Sequence, residues 1–157
     1  LNPKELVSIL NTIFSQFDDL STKYKIEKIK TIGDNYFAVS GLHANGRDSA
    51  LKLINMAQDM IAIIKSINDS LSVMNVSLRI GIHTGPVVAG VIGKNKFAYD
   101  LWGATVNMAS RMESTGEKNK IQVSEDTYNI TKEDFDFLKR SNVKIKGIGL
   151  VNTYLIT

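Results

Sequence analysis

The sequence predicts an α/β (α+β) domain, a helix-flanked mixed or antiparallel sheet, and three observations carry that reading. Two long stretches repeat apolar residues at helical spacing, several short runs are β-branched with period two, and the two patterns interleave in a mostly β-α-β-β-α-β order. At 157 residues the chain reads as one domain, residues 1–157, large enough to bury a core without cross-links. Cysteine is absent, so disulfides, thiolate metal sites and thiol chemistry are excluded. The formal net charge of +3 is scattered, without the clustered basic face that nucleic-acid binding needs. No stretch approaches the about 20 apolar residues of a membrane span, so no direct membrane insertion is expected of this domain.

The elements follow in order. Asn2, Pro3 and Glu5 form a helix start: Asn2 as cap, Pro3 at the first helical position, Glu5 three after the cap. Leu6, Leu10, Ile13, Phe14, Phe17 and Leu20 then make one apolar stripe, ending near residues 21–24. KIEKIKTIGDNYFAVSGL reads as two strands about a tight turn, with Gly33 or Asn35 able to take positive φ. HANGRDS is a loop before a long helix whose buried side is Ala50, Ile54, Ala57, Ile61, Ile64, Ile67 and Leu71. Val76, Leu78, Ile80 and Ile82 alternate with polar or small residues as a half-buried strand. TGPVVAGVIG suggests a hairpin or a close backbone contact. A helix spans residues 104–115, KIQVS is a strand, EDTYNI a short helix, and FDFLKR, SNVKIKG and LVNTYLIT supply the last strands.

Several polar residues stand where chemistry is conceivable, each with a plain structural reading beside it. Asp34 follows Gly33 as a turn former would, or offers a carboxylate to a hard cation. Lys30 and Asp100 lie among apolar residues, either as solvated strand ends or as the donor and acceptor that a purine edge requires. Asn107 and Arg111 are four apart and share a helix face. Arg111 could make a surface ion pair worth about 0–1 kcal/mol, or aim a guanidinium at a phosphoryl group. His83, at a strand end, reads as structural before it reads as a base. With His43 the only other histidine, zinc has little support. GVIGKNK lacks the phosphate-loop pattern. Composition and spacing reach no further than an α/β domain in which these residues could line a polar nucleotide site.

The stretches IEKIKTIGDNYFAVSGL, LRIGIHTGPVVAGVIG, FAYDLWGATVNMASRMESTG, KIQVS and VNTYLI resemble, in order and over most of the chain, the class III nucleotidyl cyclase catalytic domain of adenylyl and guanylyl cyclases. The resemblance implies a ferredoxin-like core and a head-to-tail dimer, homodimeric or with another cyclase domain, whose sites lie between subunits. By position, Asp34 matches the second of two metal-binding aspartates, and Lys30 the base-reading lysine of adenylyl cyclases, where guanylyl cyclases usually carry Glu. Asp100 matches its partner in adenine recognition. Asn107 matches the residue orienting the ribose and its 3′-hydroxyl, Arg111 the arginine stabilising charge on phosphate, and Lys146 the triphosphate-binding lysine. The implied reaction is attack of the ATP 3′-oxygen on the α-phosphorus, giving cyclic AMP and pyrophosphate, with two divalent ions, Mg²⁺ or Mn²⁺.

Two departures are local: Ile148 replaces a frequent basic residue in KGIG, and Ala104 a usually polar one after Trp102-Gly103. A third is larger. The family's opening strand and loop, of the form FxDIxGFT with the first metal aspartate, has no counterpart before Asn2. The expectation is thus a domain truncated at its N-terminus, short of one metal ligand and of the sheet's central first strand. A catalytically silent partner or regulatory nucleotide-binding module, or a guanylate cyclase, are the alternatives. The family expectation for location is a cytoplasmic domain.

Overall fold

The computed structural model describes residues 2–41, 45–71, 75–92 and 98–157. Its elements run α1 (Pro3–Tyr24), β1 (Glu27–Ile32), β2 (Asn35–Val39), α2 (Gly46–Ser70), β3 (Arg79–Ile82), β4 (Val88–Ile92), β5 (Ala98–Trp102), α3 (Ala104–Ser114), β6 (Lys120–Ser124), α4 (Glu125–Thr131), β7 (Phe137–Ile145) and β8 (Gly149–Ile156). The mixed α+β reading holds.

α1 begins as the sequence predicts. Glu5 N–H donates to Asn2 Oδ1 at 2.9 Å, and Asn2 N–H donates to Glu5 Oε2 at 3.2 Å, satisfying two otherwise orphaned donors. The α1 stripe buries Ile13 and Phe17 against Met56, Met60 and Ile64 of α2 and Ile26. α2 has a second buried side, where Ile54 and Ala57 meet Ile82, Ile121, Val123 and Tyr154. Of the buried side read from sequence, Ala50, Ile54, Ala57 and Ile64 are buried, while Ile61, Ile67 and Leu71 are half-buried and Met56 and Met60 join the core. A single-stripe reading misses these methionines because α2 is wedged between α1 and the sheet.

α2 also starts earlier than predicted. Asn45 caps it by accepting from Arg47 N–H at 2.8 Å, so Gly46, Arg47 and Asp48 are helical. The third strand is shorter than its alternating pattern. Asn68 occupies both backbone groups of Val76, each at 2.7 Å, and Asn119 Oδ1 accepts from Leu78 N–H at 3.1 Å. Side-chain amides thus satisfy the backbone before the ladder begins at Arg79.

β1 and β2 pair antiparallel about the turn at Gly33 (φ +58°) and Asp34. β4 and β5 form a second antiparallel hairpin, with Gly90 opposite Asp100. A four-stranded sheet has the order β3-β6-β8-β7, in which β3 and β6 are parallel and the other pairs antiparallel. FDFLKR and SNVKIKG merge into one strand, β7, because a bulge between Arg140 and Val143 absorbs Ser141 and Asn142, the latter at φ 58°. The β1–β2 hairpin and β3 pack on the same helix pair, and among the described residues β3 is paired only to β6.

Candidate active site

α3 is the element that carries Asn107 and Arg111, and its placement is fixed from three directions. At its start, Gly103 takes φ +115°, a conformation that side chains resist, and turns β5 directly into the helix. Thr105 Oγ1 there donates to the Pro86 carbonyl at 2.5 Å. Beneath the helix, Gly81 of β3 lets the α3 backbone approach so closely that a Cβ would lie 2.1 Å from Glu113 N. At its end, Thr115 N–H closes the last turn on the Arg111 carbonyl at 3.0 Å.

Met112 is buried and Met108 half-buried on one face of α3, whereas on the adjoining face Asn107 is exposed and Arg111 half-buried. The predicted polar face is therefore present and open. Asn107 N–H bonds the Gly103 carbonyl at 3.2 Å, leaving its side chain outside the helix ladder. α3 packs on β5, and β5 lies against β1. Lys30 of β1, half-buried and opposite Phe37, thus stands two elements from Asn107 and Arg111, with the Asp100 position on the strand between them. The Asp100 side chain lies outside what the structure describes.

Asp34 and Lys146 occupy hairpin tips. Asp34 is exposed in the β1–β2 turn, and Lys146 is exposed between β7 and β8. Asp34 offers one carboxylate. Among the described residues, no three His, Cys, Asp or Glu side chains gather where they could hold a metal, so these residues do not build a two-metal site by themselves.

His83, just beyond β3, is half-buried and bonded within the fold. Its Nδ1 lies 2.6 Å from Ser124 Oγ, and burial pushes the imidazole below its ordinary range, opposed by the Asp126 charge. The cleft of about 360 Å³ beside it is lined from α3 by Met108 and Met112.

Sequence reasoning passed over Gln122 and Arg140. Gln122 is fully buried in β6. Its Nε2 donates to the Met112 carbonyl at 2.8 Å and to Thr115 Oγ1 at 2.9 Å. Its Oε1 accepts from Thr153 Oγ1 at 2.8 Å and from Arg140 Nη1 at 2.5 Å. The one available signal was an amide inside the apolar run KIQVS, since buried polar groups are there to be bonded.

All 157 residues match the family described as the adenylate and guanylate cyclase catalytic domain. The chain belongs to that family. This cyclase domain is 41% identical over 154 residues to an adenylate cyclase of Mycobacterium tuberculosis, covering 98% of the chain and 34% of the relative. It is 44% identical over 157 residues to a membrane guanylyl cyclase of Dictyostelium discoideum, covering 99% of the chain and 10% of the relative. The chain thus spans about a third of the length of the first of these curated relatives and a tenth of the second. The guanylate cyclase domain of RhGC from Catenaria anguillulae, solved in complex with GTP, superposes with a TM-score of 0.91 at 32% identity, over 100% of this chain and 86% of that one. Relatives of both nucleotide preferences stand at similar identity. Among the described residues no helix is long and apolar enough to cross a membrane.

Proposed function

We propose that this cyclase domain converts ATP to 3′,5′-cyclic AMP and pyrophosphate. The observation that carries the reading is the succession β1, β5, α3, which sets Lys30, Asp100 and the Asn107–Arg111 face on neighbouring elements. Adenine presents an acceptor at N1 and a donor at its 6-amino group, which a lysine and a carboxylate match. Guanine presents the opposite pair there, so the same two side chains would face it donor to donor and acceptor to acceptor.

Asn107 holds the ribose so that its 3′-oxygen lies in line with the bond between the α-phosphorus and the bridging oxygen. The new O–P bond forms as that bond breaks, pyrophosphate departs, and the 3′-hydroxyl proton is released. Arg111 meets the charge growing on the α-phosphate oxygens, an interaction stronger in the transition state than before it. Lys146 holds the triphosphate tail. Asp34 would offer one carboxylate ligand to a divalent ion, Mg²⁺ or Mn²⁺, which would neutralise charge on the phosphates.

The site forms between two cyclase domains, the metal carboxylates of one facing the base-reading and phosphate-binding residues of the other. Exposed apolar side chains beside both hairpin tips support this: Ile32 near Asp34, and Ile148 and Leu150 near Lys146. Asp34 is a single candidate metal ligand, and this motivates one second reading, a silent partner that completes another domain's site. Mixing this chain with a cyclase domain that keeps its metal ligands but lacks its arginine then restores activity. Pairing without restored activity counts against that reading.

The test of the principal reading is Lys30→Glu in the natural full-length protein, with ATP and GTP compared separately. The ratio of kcat/KM for ATP over GTP drops at least about tenfold, the scale of one mispaired hydrogen bond to a base. An unchanged ratio removes Lys30 from base recognition.

A further inference from the structure

We propose that Gln122 and Arg140 are positioning residues that set the register of α3, and through it the placement of Asn107 and Arg111. This rests on the cyclase reading of those two side chains. The chain of bonds ends on the catalytic helix itself. Thr115 Oγ1 donates to the Arg111 carbonyl at 2.6 Å. Gln122 Nε2 donates to that same hydroxyl and to the Met112 carbonyl. Arg140 Nη1 then bridges the Gln122 carbonyl oxygen and the Thr115 carbonyl, the latter at 2.9 Å. Thr153 Oγ1 provides the last bond to Gln122.

Three properties make this more than a satisfied core amide. First, Met112 O accepts only, so the Gln122 amide has one orientation, and all four of its bonding directions are used. Second, the network joins four elements or their flanks: the last turn of α3, β6, β7 and β8. A rotation or slide of α3 breaks several bonds together, and each broken bond leaves a buried group unpaired. Third, Arg140 brings a cation to the C-terminal end of α3, where unpaired carbonyls carry partial negative charge. The neighbouring strand adds a backbone floor: Gly81 of β3, the register partner of Gln122, allows contact with residues 109–113 but no closer approach to β3. The helix rests on a sheet surface it cannot pass and is tied to that surface by a bonded amide.

The test separates placement from stability. Gln122→Glu keeps the oxygen that receives Arg140 and Thr153 but loses both donors to α3. Arg140→Met removes the guanidinium while keeping its aliphatic bulk, and Arg140→Lys restores one donor. Each is made in the natural full-length protein and assayed well below its Tm. Ile64→Val, remote in the α1–α2 core, is the control for lost stability.

Gln122→Glu and Arg140→Met lower kcat about 10- to 100-fold, the cost of misplacing reacting groups by about an ångström. KM stays within about twofold, Arg140→Lys recovers part of kcat, and the control keeps it. Amide exchange at residues 111–116 accelerates in the two variants relative to the rest of the chain. Unchanged kcat in Gln122→Glu, or a loss matched by the control, overturns the proposal. Should the unmodified protein form no cyclic nucleotide, the proposed function fails by itself. The exchange then decides separately whether the clamp exists, with unchanged protection at residues 111–116 overturning it.

Discussion

Gly81→Ala is the smallest change that should move α3, the helix carrying the proposed catalytic residues Asn107 and Arg111, and its size can be worked out. The added Cβ would stand 2.1 Å from Glu113 N, 2.5 Å from the Met112 carbonyl carbon and 2.7 Å from the Ala109 carbonyl oxygen. All three are backbone atoms, so no side chain can turn aside. Restoring an ordinary 3.4 Å separation from Glu113 N requires the helix to withdraw by about 1.3 Å locally. Overpacking of this kind costs about 1–3 kcal/mol. The same displacement carries Asn107 and Arg111 out of line, a misplacement worth on the order of a hundredfold in rate. The assay is cyclic nucleotide formation at a temperature where both proteins are folded, beside thermal unfolding. The expected result is a Tm several degrees lower and kcat reduced at least tenfold. Retained Tm and kcat within twofold would show that α3 does not depend on that contact, and the reasoning would fail.

Other expectations follow from the same structure. Phe17→Ala, at a fully buried position between α1 and α2, should cost about 3–5 kcal/mol, read as a shift in the denaturant midpoint. Burial, opposed by the Ser21 hydrogen bond and aided by the Asp18 contact, pushes the Tyr36 hydroxyl up to about 12. The unfolded phenol ionises first, at about 10, so stability falls as pH rises between those values, and Tyr36→Phe should flatten that limb of the Tm profile. The His83 imidazole is depressed by burial. The unfolded state therefore binds its proton first, and stability declines as pH drops through about 6.5. His83→Gln should remove part of that decline in Tm between about pH 7.5 and 5.5.

The sequence made the local elements legible where one rule governed them. The α1 cap needed only Asn2 and Glu5, and the β1–β2 turn only Gly33 and Asp34. Reading failed where a segment answered to two neighbours. Met56 and Met60 fall off the stripe through Ile54 and Ala57 because α2 serves two cores. Residues 76–78 alternate like a strand, yet Asn68 and Asn119 claim backbone groups there. Of the site, the polar face of α3 was visible from the four-residue spacing of Asn107 and Arg111. The Gln122–Arg140 support was not, because it joins residues 18 apart by a hydrogen bond that no local pattern announces. The proposed base-reading pair, Lys30 and Asp100, rests on resemblance, since a lysine in one strand and an aspartate 70 positions later have no local relation.

The central claim is chemical, and product analysis tests it most directly. The natural full-length protein is incubated with ATP or GTP, with Mg²⁺ and then Mn²⁺, and products are separated and weighed by mass spectrometry. The account predicts cyclic AMP with an equal amount of pyrophosphate from ATP, and far less cyclic GMP from GTP. Cyclic GMP as the dominant product, or no cyclic nucleotide with either metal, would contradict it.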